Sequence, residues 1–170
     1  NTVAERARLR EVALSHKDER PIHPLWAAYC LEQVITEDAI VMNEGMSGGW
    51  PWIALSDRKV PGTVFTSGGS SLGWGLGAAI GAKLANPDRD VIALEGDGSV
   101  VFARPTSAFW AAEKYNTPFL TIIYNNSQHM ATVNSWARTY PDGAGKTTGE
   151  FLGTAIDPSP DYAVLVQACR

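Results

Sequence analysis

Nothing in this sequence is long and apolar enough to suggest a membrane span: no hydrophobic run approaches the ~20 residues that cross a bilayer. A basic excess is missing as well. Lys and Arg number 14 against 18 Asp and Glu, giving a formal net charge of -4 and a pI near 5.3. Such a balance argues against a nucleic-acid partner, which needs a basic face. Cysteine is scarce: Cys30 and Cys169 lie far apart, with no second Cys or His at metal-ligand spacing. They read as two buried thiols in a reducing cytoplasm. No signal peptide is visible in the polar opening Asn1-Thr2-Val3-Ala4-Glu5-Arg6. An initiator Met is absent, and the final helical stretch from Asp161 to Arg170 has no Gly cap or Pro stop. The expectation is an excerpt of a longer polypeptide, or one piece of a split one.

What is present is a globular composition. The chain has 170 residues, 45% hydrophobic and only 19% charged, which excludes disorder and suits one α/β domain with a real core. Residues 1–20 are rich in Glu, Arg, Lys and Asp and read as a charged connector with a helical start; the domain proper is expected over 21–170. Pro24 suits the first turn of a helix from Leu25 to Ile35. Four short runs read as strands, the first of them buried: Ala39–Met42, Thr63–Thr66, Val91–Leu94 and Phe119–Tyr124. Between them, helices are expected over Leu72–Leu84 and Thr106–Tyr115. Gly, Pro and Trp from Gly45 to Pro61 suggest a loop, as do Gly, Pro, Asp and Thr from Tyr140 to Pro160. Strands that are apolar throughout, separated by helices, imply an α/β fold: a parallel sheet flanked by helices on both faces. In such sheets ligands bind beyond the carboxyl ends of the strands. Three strands end there in polar or Gly-rich turns: Asn43-Glu44-Gly45, Gly96-Asp97-Gly98 and Asn125-Asn126.

Gly96-Asp97-Gly98-Ser99 places a carboxylate between glycines that let the backbone turn tightly and a ligand approach closely. A carboxylate in that setting can hold magnesium, a hard cation that takes about six oxygens and often shares them with ligand phosphates. Ser99 and nearby amides suit the phosphate itself. Taken alone, Gly-Asp-Gly is also ordinary punctuation between a strand and a loop. Asn125-Asn126 ends the next strand, which brings it near Asp97, and an amide oxygen is a neutral hard ligand. It too has an ordinary reading, as turn chemistry.

Gly-Asp-Gly, a spacer from Ser99 to Tyr124, and Asn-Asn at successive strand ends resemble the signature of thiamine-diphosphate-dependent enzymes. The chain is similar, over nearly its whole length, to the C-terminal cofactor-binding (PP) domain of the acetolactate synthase and benzoylformate decarboxylase group. The resemblance implies thiamine diphosphate and Mg2+ as cofactors. It implies Asp97, the Asn126 side chain and the Gln128 carbonyl as metal ligands. Met46, Ser47, Gly98 and Ser99 would hold the diphosphate, and Gly69 and Ser70 the aminopyrimidine. Leu72 would be the apolar wedge that bends the cofactor. The implied reaction is decarboxylation of a 2-oxo acid, or carboligation of the resulting acyl unit to a second carbonyl compound. Acetolactate synthase-like chemistry comes first and a benzoylformate-type simple decarboxylase second. In this family a glutamate from a pyrimidine-binding domain, usually of a neighbouring subunit, protonates the aminopyrimidine; Glu44 matches the diphosphate-side loop and is not that residue. The chain alone is therefore expected to be inactive, with no catalytic residue of its own, and to work in a homo-oligomer. FAD use cannot be read, because the middle domain that carries it in this family lies outside these residues.

Two other classes stay open on the residues themselves. Gly73, Gly75, Gly77 and Gly81, with Glu95 or Asp97 further on, loosely fit a nicotinamide or flavin fingerprint. A non-catalytic cofactor-binding module is the other; intact Asp97, Ser99 and Asn126 argue against a decayed site. His129 reads equally as a loop histidine bonded to backbone or as a catalytic one, while His16 and His23 read as solvated. Trp74, Trp110 and Tyr115 read as core or interface rather than an aromatic substrate box, and Trp50 and Trp52 as loop residues facing a partner.

Overall fold

The structure, a computed structural model, describes residues 2–69 and 71–169. Four strands form one parallel sheet in the order β2-β1-β3-β4: β1 (Ile40–Asn43), β2 (Val64–Thr66), β3 (Val91–Gly96) and β4 (Leu120–Tyr124). Every residue of β1 is buried, and β3 is buried up to Glu95, as continuous apolar runs between two helical layers require. One layer holds α2 (Pro24–Val34) and α3 (Met46–Leu55), which pack Ala28, Trp52 and Leu55 on Val41, Ile92 and Leu94. The other holds α4 (Gly75–Ala85), α6 (Pro105–Lys114) and α9 (Tyr162–Gln167), which pack Leu76, Ala79, Phe109 and Leu165 on Ile40, Met42, Val91 and Ala93. The α/β class with both faces covered is thus what forms. No helix among the described residues is long and apolar enough to cross a membrane.

Strand order explains the layers. The chain moves from β1 to β2 in one direction and from β2 back past β1 to β3 in the other. Parallel crossovers share one hand, so the reversal sends α3 and α4 to opposite faces. The point of reversal lies between β1 and β3, the place where sheets of this kind form a crevice at their carboxyl edge.

The segment 45–61, expected as a loop, is corrected: Met46–Leu55 is helix α3 despite Gly48, Gly49 and Pro51. Pro51 forfeits a hydrogen bond at a cost of about 3 kcal/mol. Trp52 and Leu55 are fully buried, each worth about 1.5–3 kcal/mol, which offsets it. The two glycines let the helix lie close on the sheet: a Cβ on Gly48 would enter the Tyr124 ring, and one on Gly49 would meet the Asn43 side chain. Trp52 is accordingly core, with the Arg58 guanidinium 5.9 Å from its ring centre, and of the two α3 tryptophans only Trp50 is exposed.

Other boundaries differ from expectation for local reasons. Helix α4 begins at Gly75 rather than Leu72, because Gly73 has a positive φ of 87° that no helix accepts. Residues 1–20 carry α1 (Val3–Ser15), capped by Thr2, whose Ala13 is buried; Arg6 pairs with Asp57 at 2.9 Å. Three further helices have no counterpart in the sequence pattern: α5 (Asp97–Phe102), α7 (Met130–Thr139) and α8 (Ala144–Thr148). His16 and His23 are not simply solvated; their rings stack at 3.8 Å. Cys30 is exposed and Cys169 half-buried, correcting the expectation of two buried thiols; Cys30 lies outside the set of α2 residues, Leu25, Ala28, Tyr29 and Leu31, that packs into the core.

Candidate functional site

The crevice is bounded by the exits of β1 and β3. Their register pairs Asn43 with Leu94, so the chain leaves both strands at nearly the same height. The Leu94 carbonyl accepts from the Glu44 and Gly45 amides at 2.7 and 2.8 Å, which ties the β1 exit to β3. Gly45 then caps α3 without a side chain, leaving Met46 and Ser47 in an uncapped first turn beside the crevice. On the β3 side, Asp97, Gly98 and Ser99 open α5 and are buried. Ser99 Oγ donates to the Glu44 carbonyl at 3.4 Å, closing the crevice floor.

Asp97, Asn126 and Gln128 come together. Gly96 pairs with Tyr124 across β3 and β4, so the residues just beyond each meet at the sheet edge. One amide joins all three: Gln128 N–H donates to Asp97 Oδ2 at 3.2 Å and to Asn126 Oδ1 at 3.0 Å. Asp97 Oδ1 accepts from Gly98 N at 2.9 Å. The Gln128 carbonyl accepts from Met130 N at 2.8 Å and keeps one lone pair. Asn125 instead fixes the turn, because its side chain accepts from Ser127 N at 3.1 Å and donates to Ser159 at 3.0 Å.

The turn is held from outside by a segment whose composition reads as loop. Ile156 N donates to the Ser127 carbonyl at 2.8 Å, His129 N to the Thr154 carbonyl at 2.7 Å, and Gln128 Nε2 to Thr154 Oγ1 at 3.3 Å. Thr154 and Ile156 are buried. No spacing or composition marks Thr154 as such a support. The His129 ring lies directly against Gly98, where a Cβ would meet its Cε1 at 2.8 Å.

Gly69 lies in the loop after β2, exposed, with open space around it. Ser70 falls outside the described residues. Leu72 sits in the turn before α4 and is 36% exposed. Gly75, Gly77 and Gly81 run along α4 rather than through a strand-to-helix turn, which removes the geometry that a dinucleotide fingerprint needs.

Two buried carboxyls beneath this turn are partners that no sequence spacing reveals. Glu44 accepts from Gly73 N and, at 2.6 Å, from Gly75 N. Glu95 is wholly buried, and among the described residues neither of its oxygens meets a donor. Burial first, then the Glu44 carboxylate, push the Glu95 carboxyl from 4.5 up to about 9. Protonated Glu95 facing Glu44 is the arrangement that leaves neither charge opposed.

The donors fit a magnesium–diphosphate pair. Among the described residues no three His, Cys, Asp or Glu side chains gather to hold a metal. The convergent atoms are instead one carboxylate, one amide oxygen and one main-chain carbonyl, a hard oxygen set that leaves positions for phosphate and water. An uncapped helix start lies across the crevice.

Residues 44–170 match the family described as thiamine pyrophosphate enzyme, C-terminal TPP binding domain. Benzoylformate decarboxylase of Pseudomonas aeruginosa is 33% identical over 111 residues, covering 65% of this chain and 21% of that protein. A chloroplastic acetolactate synthase of Arabidopsis thaliana is 32% identical over 154 residues, covering 87% of this chain and 22% of the relative. Among solved structures, a thiamine diphosphate-dependent 4-hydroxybenzoylformate decarboxylase of Rhodococcus jostii RHA1 superposes with a TM-score of 0.75 at 31% identity, over 87% of this chain and 26% of the other. The chain thus spans about a quarter or less of the length of these relatives. With the family match over most of the sequence and the fold in common, the chain belongs to the thiamine pyrophosphate enzymes, as a C-terminal TPP binding domain.

Proposed function

We propose that this chain supplies the diphosphate- and magnesium-binding half of an enzyme that decarboxylates a 2-oxo acid, or joins the resulting acyl unit to a second carbonyl compound. The observation that carries the proposal is the convergence of Asp97, Asn126 and Gln128 on one amide at the carboxyl edge. Asp97, the Asn126 side chain and the Gln128 carbonyl would hold Mg2+. Met46, Ser47, Gly98 and Ser99 would hold the diphosphate, Gly69 and Ser70 the aminopyrimidine, and Leu72 the fold of the cofactor. The bound thiazolium supplies the electron sink that decarboxylation needs, while the protein contributes orientation and charge. Buried Asp97 sets the local negative charge for the cation, and the α3 start offers amides to phosphate oxygens.

Both of Glu44's oxygens are engaged by main-chain amides, so no acid or base for the aminopyrimidine is available from it. That role falls to a glutamate of a pyrimidine-binding domain, from the same or a neighbouring subunit, in a homo-oligomer. Acetolactate synthase-like carboligation is the first reading, supported by relatives matched over 87% of the chain. Simple decarboxylation of an aromatic 2-oxo acid is the second, favoured by the fold match to the Rhodococcus jostii decarboxylase. Two unpaired cysteines accord with a reducing cytoplasm as the compartment.

The test is calorimetric titration with thiamine diphosphate, with and without Mg2+, on the wild type and Asp97→Ala. Magnesium-dependent binding lost in the variant is expected. Equal, tight binding by Asp97→Ala would sink the site assignment.

A further inference from the structure

We propose that Glu44 is a positioning residue which, through the Gly73 and Gly75 amides, sets where Leu72 stands over the crevice. The proposal rests on the cofactor reading above and adds to it a residue without contact to the cofactor.

Glu44 is 4% exposed and sits where three segments meet. Its carboxylate receives Gly73 N–H on Oε1 and Gly75 N–H on Oε2, one donor per oxygen. Its own amide donates to the Leu94 carbonyl at 2.7 Å, and its carbonyl accepts from Met46 N at 2.9 Å and from Ser99 Oγ. A single residue therefore joins the β1 exit, the start of α5 and the turn that carries Leu72.

The turn is shaped for this grip. Gly73 takes a positive φ, and a Cβ there would meet the Ala103 backbone at 2.9 Å. A Cβ on Gly75 would come within 3.0 Å of Glu44 Oε2 and overlap Glu95. Leu72 thus precedes a turn held between the Glu44 carboxylate on one side and Ala103 on the other. The same clamp serves an α4 terminus whose N-cap, Trp74, gives no side-chain bond. Only a carboxylate fits the pair of donors. A glutamine would turn an NH2 toward one of the two amides, replacing an acceptor with a donor.

A purely structural cap would cost stability and weaken every ligand alike. A positioning role costs the organic end of the cofactor more than its diphosphate end, because Glu44→Gln leaves the main-chain bonds to Leu94 and Ser99 in place. The variants are Glu44→Gln and, as a carboxylate one methylene shorter, Glu44→Asp. Hydrogen exchange of the Gly73 and Gly75 amides in the free protein reads the clamp directly. Exchange at least ~10-fold faster in Glu44→Gln, with the rest of α4 still protected, is expected. Titration then compares thiamine diphosphate plus Mg2+ with inorganic pyrophosphate plus Mg2+. The expected split is a ~10-fold or greater loss for thiamine diphosphate against less than ~3-fold for pyrophosphate, with partial recovery in Glu44→Asp. Unchanged exchange, or equal weakening of both ligands, would overturn the proposal while the wild type and Asp97→Ala still behave as the cofactor reading requires. Failure of the wild type to bind thiamine diphosphate, in the complete assembly as well as in this chain, would overturn the cofactor reading and this one with it.

Discussion

Replacing Glu95 by glutamine should stabilise the metal-free protein, and by more as the pH rises. The side chain is fully buried, its oxygens meet no donor among the described residues, and burial followed by the Glu44 carboxylate raises its pKa from 4.5 to about 9. Between those values the unfolded chain has lost the Glu95 proton while the folded protein keeps it. The native state then binds one proton more, so stability falls as pH rises, by up to about 1.4 kcal/mol per pH unit. Integrated from about pH 5 to about pH 8, Glu95 removes roughly 4 kcal/mol from the wild type. Glutamine has the same shape and no such linkage, so the stability gap between variant and wild type should widen by that amount. Urea unfolding at unit pH steps without magnesium measures it, with a common denaturant slope as the check on two-state behaviour. Parallel stability curves for the two proteins would refute the reasoning, since they would mean that Glu95 titrates alike folded and unfolded.

Gly48→Ala should cost about 1–3 kcal/mol by forcing a methyl into the Tyr124 ring, whereas Gly77→Ala, with open space around it on α4, should gain about 0.5–1 kcal/mol; urea midpoints check both. Arg58→Lys should lose about 2 kcal/mol, because a single ammonium cannot reproduce the guanidinium bonds to the Thr36, Glu37 and Ala39 carbonyls at 2.9, 2.7 and 2.6 Å; thermal unfolding reads the loss. The chain alone, loaded with thiamine diphosphate and Mg2+, should not release carbon dioxide from pyruvate, and measurable turnover would show that no partner glutamate is required.

The site's chemistry is legible in the sequence where it depends on residue type at a strand end. Asp97 and Asn126 stand out because four apolar runs locate the carboxyl edge, and the register of β3 and β4 brings those ends together. Supports whose partners are distant leave no such trace. Gly48, Gly49 and Pro51 read as a loop, since the reason for a helix there is the close approach to Tyr124 and Asn43. Trp52 reads as a loop aromatic for the same reason. Thr154 carries no mark of its own, because its role is to meet the turn at Gln128 and His129. Glu44 is visible in the sequence only as a polar residue at a strand end, because its bonds to Gly73 and Gly75 depend on how α4 enters the other face of the sheet.

These supports act on both sides of the crevice. Glu44 and Gly45 are tied to β3 through their amides, and Ser99 to the Glu44 carbonyl through its hydroxyl, so the β1 and β3 exits are held together. On the other side, His129 rests its ring against Gly98 while its amide is anchored to Thr154. The turn before α7 is thus tied by the segment that returns at Thr154 and Ile156, not by the sheet alone. Trp136 of α7 also meets the Phe151 ring, so α7 is joined to the returning segment both at its start, through the His129 amide, and along its length.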